Sequence, residues 1–563
     1  MLAAFAPSPS RLFPGLALGG LLLLAPNARA QSYVALMEGQ RAIPLRGRFN
    51  TVPVLHSNQP EEVEGPGLLI STAPGTAIAA ETGETVEMPA YTFKGDFGLH
   101  LHHKYFPPYR ASISPSRRRT ELTLATILIN PGVQPVRVTF SAGAVRNSFE
   151  APYLARHLLG VRPLGPRPWN TGPGDATAVQ LLRGRLDPRL SETITVPPRG
   201  RVVLFRTALP ALGIANALLR GRSDGPLQIA VVAAKDPESD EDLFAVLDRR
   251  LLAPGRVYLR RISEIQAGTI FSRVGGVALG DHYQASLQHD LNRQGPLHVP
   301  LTSTRRTHFG TGEVQVNALA SRVIDSSVDN VGTYGVRFDV DLNLLGQGAH
   351  DLVLSHPAPI GGRPFTAFRG SMEIRTPEGV QSVHVGLRSG QSLSLTQLNL
   401  QPGQPTPIRL SLVYPADSTP GHLLSVVPST QLAQLQEQER RQEMARLNRS
   451  APPGPPPPPA AGGETPETRQ PLPTTGGRPT APPRLVAPPL PPALREPPRP
   501  RVPGPLTPPP EILRAPSGPT WLQPPPTLQA PPPASQGGDP LADRYREALE
   551  AQELLLRQWQ RNP

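Results

Sequence analysis

Alternation of apolar and polar residues runs through the chain up to about residue 428 and predicts an all-β protein. The segment 122–129 is apolar on both of its faces, which is typical of a strand that is buried on two sides. Residues 130–132, Asn-Pro-Gly, favour a turn, because Pro fixes φ and Gly tolerates positive φ. The chain then returns over 136–140 at period two. The pattern therefore predicts a hairpin around this turn.

The same strand, turn and strand pattern recurs further along. Residues 193–196 and 202–205 flank a Pro-Pro-Arg-Gly turn, and 227–233 is apolar enough for a buried strand. Residues 239–252 predict a helix that is capped by Ser239 or Asp240, with an apolar stripe of Leu243, Val246, Leu247 and Leu251. Before them, 31–120 contains short apolar runs broken by Gly and Pro. We expect edge strands and loops there.

A second region repeats this pattern. Apolar residues alternate with polar ones over 336–344 before a Gly-rich turn at 346–348, in a pattern that corresponds to 122–140, and the segments 393–398 and 408–415 resemble 194–205. This internal similarity predicts two β-sandwich-like units, residues 31–255 and 256–428, each with a polar face. The fold expected is therefore all-β, with a disordered Pro-rich tail and a short C-terminal helix.

Three segments follow the predicted sandwiches. Residues 429–450 predict a polar helix, 451–537 a Pro-rich disordered spacer of polyproline II character, and 538–563 an amphipathic helix. The last helix carries one apolar stripe that we expect to dock on a partner: Leu541, Tyr545, Leu549, Leu556 and Trp559. Binding to a membrane surface and a helix without a partner are the alternatives.

The N-terminus has the three parts of a secretory signal peptide. Arg11 supplies positive charge, 16–25 is a short apolar core, and Ala28-Arg29-Ala30 is a small-x-small cleavage site. The apolar core is shorter than the roughly 20 residues that span a bilayer. We therefore assign 1–30 to a signal peptide and expect export to the periplasm, cell envelope or exterior, without a transmembrane span. A retained anchor is the alternative.

Composition restricts the chemistry. The 563 residues include no Cys, which excludes disulfides, thiolate zinc sites and cysteine nucleophiles. The formal charge of +12 comes almost entirely from Arg, since Lys occurs only three times. This charge suggests an anionic envelope polymer as a partner, although an Arg-rich coding bias explains it equally well. Export argues against nucleic acid as the partner, and an envelope protein is the other candidate.

Two side-chain pairs invite a chemical interpretation. On a strand, His100 and His102 would project from one face about 6.5 to 7 Å apart, a spacing that suits two imidazoles on one metal ion. A third ligand is not evident, so surface or loop histidines are the alternative. Asp339 and Asp341 also share a strand face, as in a glycosidase or calcium site, or as plain solvated acids. The Gly-rich segment 309–313 lacks the Lys of a phosphate loop, and we expect no cofactor.

Five short motifs occur in order along the chain, at 129–138, 220–226, 308–315, 334–336 and 414–420. Together they resemble an uncharacterised family of secreted cyanobacterial proteins that is known only as a domain of unknown function. The resemblance covers roughly 31–427 and leaves out the tail. It implies a cyanobacterial envelope setting and implies nothing about catalytic residues.

These patterns favour a non-enzymatic secreted or cell-envelope β-sandwich protein that binds an envelope polysaccharide or a protein partner. The alternative is a secreted carbohydrate-active or metal-dependent hydrolase that uses His100, His102 or Asp339. The sequence leaves the oligomeric state open.

Overall fold

The structure is a computed structural model, and it describes residues 32–108, 121–153, 159–165, 171–359, 363–416 and 418–450. Strands far outnumber helices among these residues, which confirms the all-β prediction. The described residues up to Arg441 belong to one compact unit. The predicted signal peptide (1–30), Pro-rich spacer (451–537) and C-terminal helix (538–563) lie outside the described residues.

The strands are numbered in chain order. The first thirteen are β1 (Arg48–Phe49), β2 (Pro53–Ser57), β3 (Glu62–Val63), β4 (Gly67–Ser71), β5 (Thr76–Ile78), β6 (Thr85–Glu87), β7 (Phe93–Tyr105), β8 (Glu121–Ile129), β9 (Val136–Asn147), β10 (Gly160–Pro163), β11 (Thr193–Val196), β12 (Arg201–Pro210) and β13 (Ile214–Ala234). The others are β14 (Gly275–Leu279), β15 (His282–Asp290), β16 (Leu297–Leu301), β17 (Leu319–Arg322), β18 (Arg337–Leu345), β19 (Gly348–Ser355), β20 (Thr366–Thr376), β21 (Gly379–Arg388), β22 (Ser392–Leu400), β23 (Thr406–Val413) and β24 (His422–Pro428).

The helices are short apart from the last. They are α1 (Pro173–Leu182), α2 (Asp240–Asp248), α3 (Ile262–Gln266), α4 (Leu291–Gln294) and α5 (Ser429–Ser450), with 3-10 turns at Ala35–Met37 and Val257–Arg261. Ser239 and Asp242 form a reciprocal capping box at α2, as the sequence predicted. Leu251 lies beyond the end of α2 and is exposed, so it does not extend the predicted apolar stripe.

Strand β13 organises the first part of the fold. Its first half pairs with β7 and β9, and its second half pairs with β8 and β4, with a register shift between Ser223 and Leu227. One 21-residue strand thus belongs to both layers of a sandwich. The core between the layers contains Phe93, Phe97, Leu124, Phe140 and Ile229.

The predicted hairpin of 122–140 is wrong, because β8 and β9 do not pair with each other. Strand β8 pairs with β12 and β13, whereas β9 pairs with β11 and β13. The chain therefore crosses from one layer to the other at 130–135. It crosses again between β11 and β12, at the adjacent turn 197–200. The expectation of edge strands for 31–120 is wrong for β7, which lies between β13 and β2 and is buried over most of its length.

A seven-stranded sheet (β1-β15-β18-β23-β20-β21-β10) and a four-stranded sheet (β16-β24-β19-β22) form the second part. Here too the chain passes from one sheet to the other between β18 and β19 and between β22 and β23. Both parts of the fold therefore contain the same kind of connection. Strands also pass the predicted boundary at residue 255. β1 and β10 join the seven-stranded sheet, while β14 and β17 extend one layer of the first part, in the order β11-β9-β13-β7-β2-β14-β17. The division into two units stays a prediction.

The predicted polar helix at 429–450 is present as α5. Its first turn packs on the N-terminal end of the described chain, where Leu432 shares a core cluster with Val34 and Leu36. The Gln431 side chain donates to the Leu36 carbonyl at 3.0 Å. In the described part of the chain, no helix has the length and apolar character that crossing a membrane requires.

Candidate functional site

The layer β11-β9-β13-β7-β2-β14-β17 has one face on the core and an outer face that changes character along its length. At one end, register places His56, His100 and His102 on the outer face of β2 and β7. Helix α1 covers the neighbouring part of this face through Ala142 and Leu218, and it also contacts Val413 of β23. The outer face is therefore buried at one end and open at the other.

His100 and His102 do lie on one face of a strand, but both are about 1 % exposed. The interpretation as surface or loop histidines is wrong, because β7 is covered on both faces. His100 Nδ1 lies 3.0 Å from His56 Nδ1. Burial lowers the pKa of both rings, to about 3 for His56, and the neighbouring histidines lower that of His100 further. Both imidazoles are neutral at physiological pH.

His102 belongs to a second contact set in the same layer. Its Nδ1 lies 3.0 Å from the Asn216 side-chain amide, and its Nε2 lies 3.7 Å from Glu61 Oε1. Glu61 also binds Lys104 Nζ at 2.6 Å and the Arg273 guanidinium, so two cations compensate this buried carboxylate. Among the described residues, no three His, Cys, Asp or Glu side chains could hold a metal ion together. The metal role of His100 and His102 stays a prediction.

Two segments that carry the family resemblance meet beside His100. The Tyr334 ring lies 6.2 Å from the His100 ring and stacks at 6.1 Å on Tyr414. The Tyr334 hydroxyl donates to the Ser418 carbonyl at 3.0 Å, and the Gly335 amide donates to the Tyr414 carbonyl. Motifs 334–336 and 414–420 therefore join the two parts of the fold through a buried aromatic layer.

The other motifs also hold segments together. The Asn130 amide donates to the Gln134, Val196 and Pro197 carbonyls, and its oxygen accepts the Gly132 amide. This single buried side chain fixes the place where the chain changes layer. In motif 308–315, Glu313 accepts the Leu45 amide and the Tyr283 hydroxyl, each at 2.6 Å. These contacts give motifs 129–138 and 308–315 a structural role.

One Ser, His and Asp cluster escaped the sequence analysis. Asp175 Oδ2 lies 3.1 Å from His384 Nδ1 and 2.9 Å from Ser371 Oγ. Ser371 contacts the same His384 nitrogen that Asp175 contacts, whereas a catalytic triad needs the opposite one. All three side chains are buried, so the cluster anchors α1 on β20 and β21. Sequence separations of 196 and 209 residues leave no local signal for it.

Asp339 and Asp341 are both engaged by neighbours. Burial alone would raise the pKa of Asp339, but hydrogen bonds from His282, Arg337 and Ser411 hold it well below its usual range. Asp341 forms a bidentate pair with Arg409, at 2.6 and 2.9 Å. An ionised carboxylate and an Arg-bound carboxylate do not provide the protonated general acid that glycoside hydrolysis requires.

The open end of the outer face presents polar side chains in register. Asp96, Arg222, Thr139 and Thr193 form one row across β7, β13, β9 and β11. The row is accessible, and the Arg222 and Asp96 side chains are 67 % and 58 % exposed. Arg137 lies beside this row, opposite Thr195 on β11. Sequence reasoning predicted a polar face but not its location, because the location depends on which strands pair.

The predicted docking stripe of the C-terminal helix lies outside the described residues: Leu541, Tyr545, Leu549, Leu556 and Trp559.

Comparison with known proteins adds one finding. A family model described as "Protein of unknown function (DUF3370)" matches residues 40–428. This confirms the resemblance to a domain of unknown function. No curated protein matches the chain.

Proposed function

We propose a function for a chain that belongs to the family described as protein of unknown function (DUF3370). It is a non-enzymatic protein, exported to the cyanobacterial cell envelope, that binds an anionic envelope polysaccharide. The binding surface is the open end of the outer face, which we call the polar row surface: Lys94, Asp96, Arg137, Thr139, Thr193, Thr195 and Arg222.

The arrangement of the polar row surface carries the proposal. Its rows cross adjacent strands, which are spaced about 4.8 Å apart, so hydroxyl and charged groups follow one another at short, regular intervals. An extended polymer with hydroxyl and carboxylate or sulfate groups offers matching partners to Thr and Arg side chains. The exposed Arg222–Asp96 pair contributes little stability of its own, so Arg222 can exchange Asp96 for a ligand anion at low cost.

The side chains considered for hydrolysis are not arranged for that chemistry. His100 and His102 are buried, Asp339 is held by three hydrogen-bond donors, and the Ser371 cluster lacks triad geometry. Among these groups, none combines access to solvent with a free proton donor or acceptor in the geometry that hydrolysis requires.

Cosedimentation of the purified chain with isolated envelope polysaccharide tests the proposal. The double variant Arg137→Glu, Arg222→Glu should bind the polysaccharide at least about tenfold more weakly, because charge-assisted hydrogen bonds are lost and repulsion is added. The matched control Arg375→Glu, Arg409→Glu changes two exposed arginines of the seven-stranded sheet and should bind as the unchanged protein does.

Two further measurements vary the salt concentration and the envelope fraction that is offered for binding. Binding should weaken as sodium chloride shortens the Debye length below about 8 Å. Retention on envelope proteins but not on the polysaccharide, with the same sensitivity to the Arg137 and Arg222 changes, would make the partner a protein. No retention on either fraction would reject the proposed function.

A further inference from the structure

Two histidines meet between the seven-stranded and four-stranded sheets, away from the polar row surface. His356 follows the end of β19 and His422 begins β24, and their rings lie 5.1 Å apart in an edge-to-face arrangement. His422 is fully buried and His356 is 7 % exposed. The aromatic rings of Phe365 and Phe368 pack on them at 5.6 and 5.2 Å.

This pair is held in the neutral state. The Tyr414 hydroxyl lies 3.0 Å from His422 Nε2, and His422 Nδ1 is buried without a hydrogen-bond partner. Burial lowers the pKa of His422 well below its usual value, and His356 lowers it further. Burial also lowers the pKa of His356, to about 4, although the Pro357 and Pro420 carbonyls act in the opposite direction.

The side chains around the pair do not compensate the positive charge that an added proton would bring. Tyr414 contacts His422 directly, and Tyr334 stacks on Tyr414. The other titratable side chains of β19 and β20 do not act on the pKa of either histidine: His350, Asp351, Arg369, Glu373 and Arg375. Among the described residues, no carboxylate acts on the pKa of either histidine. Protonation of one ring therefore creates an unpaired buried charge, and protonation of both places two such charges 5.1 Å apart.

Immediately before His422, the chain closes this end of the sandwich. We call residues 418–421 the latch. The Ser418 carbonyl accepts the Tyr334 hydroxyl, and the Ser418 hydroxyl accepts the Arg369 amide at 3.2 Å. The Thr419 amide donates to the Ala367 carbonyl at 2.8 Å, and the Gly421 amide donates to Thr302 Oγ1 at 3.1 Å. These four bonds hold the latch over the two histidines.

We propose that the latch is released by acid. Whichever ring nitrogen takes up the proton, the His422 imidazolium must donate from both: Nε2 reaches only the Tyr414 hydroxyl, and Nδ1 has no acceptor. Moving the latch outward lets water reach both rings and breaks the bonds to Ala367, Thr302 and Tyr334. Because Tyr334 also packs on His100, release loosens the contact between the two parts of the fold.

Proton linkage fixes the size of the effect. In the open state both rings meet water and regain pKa values near 6.5. Between pH 6.5 and 5.5, each histidine increases the ratio of open to closed latch by about fivefold, and two together by about 30-fold. The closed state persists above pH 6.5 and is lost as the pH falls.

Native-state hydrogen exchange of the full chain tests this inference at the Thr419 and Gly421 amides, corrected for intrinsic exchange. Opening should rise about 30-fold between pH 6.5 and 5.5, ahead of the Val340 amide in β18, which reports global unfolding. His356→Gln should reduce the rise to about fivefold. The matched control His298→Gln, which alters a buried histidine of β16, should leave it unchanged.

Two results would overturn the inference. One is an equal pH-dependent rise in His356→Gln and the unchanged protein. The other is a His422 ring proton signal, followed by NMR in the unchanged protein, that titrates near pH 6.5 while the Thr419 and Gly421 amides stay protected. The second measurement needs no variant, so it decides the matter even if substitution prevents folding.

Discussion

Arg256 and Asp325 form an ion pair from which solvent is fully excluded, since both side chains are 0 % exposed. Arg256 Nη1 lies 2.9 and 3.1 Å from the two Asp325 oxygens, and its Nη2 donates to the Leu69 and Gln59 carbonyls. The pair thus ties a residue next to the predicted boundary at 255 to segments on either side of it.

Asp325→Asn should lower the free energy of unfolding by about 3 to 5 kcal/mol, because it leaves the Arg256 charge buried without its counter-ion. Urea unfolding followed by tryptophan and tyrosine fluorescence measures this change. The control Asp341→Asn breaks the exposed pair with Arg409 and should cost at most about 1 kcal/mol. Equal losses for the two variants would contradict the role assigned to burial.

Asn130→Ala should cost about 1 to 3 kcal/mol, since it removes an amide that serves three carbonyls at the layer crossing. Asn130→Asp keeps the acceptor for the Gly132 amide and loses the donors. It should therefore also destabilise the chain. Exposed Gln134→Ala is the control, with an expected change within about 0.5 kcal/mol. Wild-type stability of Asn130→Asp would show that the donor bonds are unimportant.

Gly143→Ala should be more destabilising than Gly184→Ala, although both positions have positive φ. At Gly143, with φ +118°, an added Cβ would overlap the Leu218 carbonyl group of β13, and backbone cannot move aside as a flexible side chain can. At Gly184, with φ +62°, the space is open, so only the left-handed conformation costs roughly 1 to 2 kcal/mol. Thermal unfolding of both variants compares them, and equal melting temperatures would refute the clash.

His298 should make the chain less stable in acid. Burial lowers its pKa to about 4, with a smaller contribution from His289, so below pH 6.5 the unfolded chain binds a proton that the folded chain does not. The stability advantage of the unchanged protein over His298→Gln should fall by about 1.4 kcal/mol per pH unit between pH 6.5 and 4. Denaturant titrations at several pH values measure it. A constant difference would mean that His298 does not titrate in this window.

Local pattern predicted the elements that depend on neighbours in sequence. The strand at 122–129, the alternation at 336–344 and the Ser239 cap are present because periodicity and capping act over a few residues. Strand pairing was not predictable in this way. The 130–132 turn favours a hairpin by composition, but the Asn130 bonds to the Val196 and Pro197 carbonyls direct the chain into the other layer.

The candidate site shows the same limit. Period two correctly placed His100 and His102 on one strand face, while their burial depends on α1 and Tyr334, which are distant in sequence. A signal was nevertheless present: Phe97, Leu99 and Leu101 alternate with the histidines, as in a strand with its other face in a core. The contacts of His356 with His422 depend on two different strands, and no spacing rule could predict them.

The bond between Gln431 and Leu36 joins residues that are 395 positions apart, and it bears on the order of events during synthesis. Val34 and Leu36 enter the polypeptide first, yet Leu432, their packing partner, is made almost 400 residues later. Until then these apolar side chains have no native surface to cover them, because their core cluster also needs β19 and β24. Completion of the fold must therefore follow completion of the strands, and an N-terminal fragment released by the ribosome early would expose this cluster to chaperones and proteases.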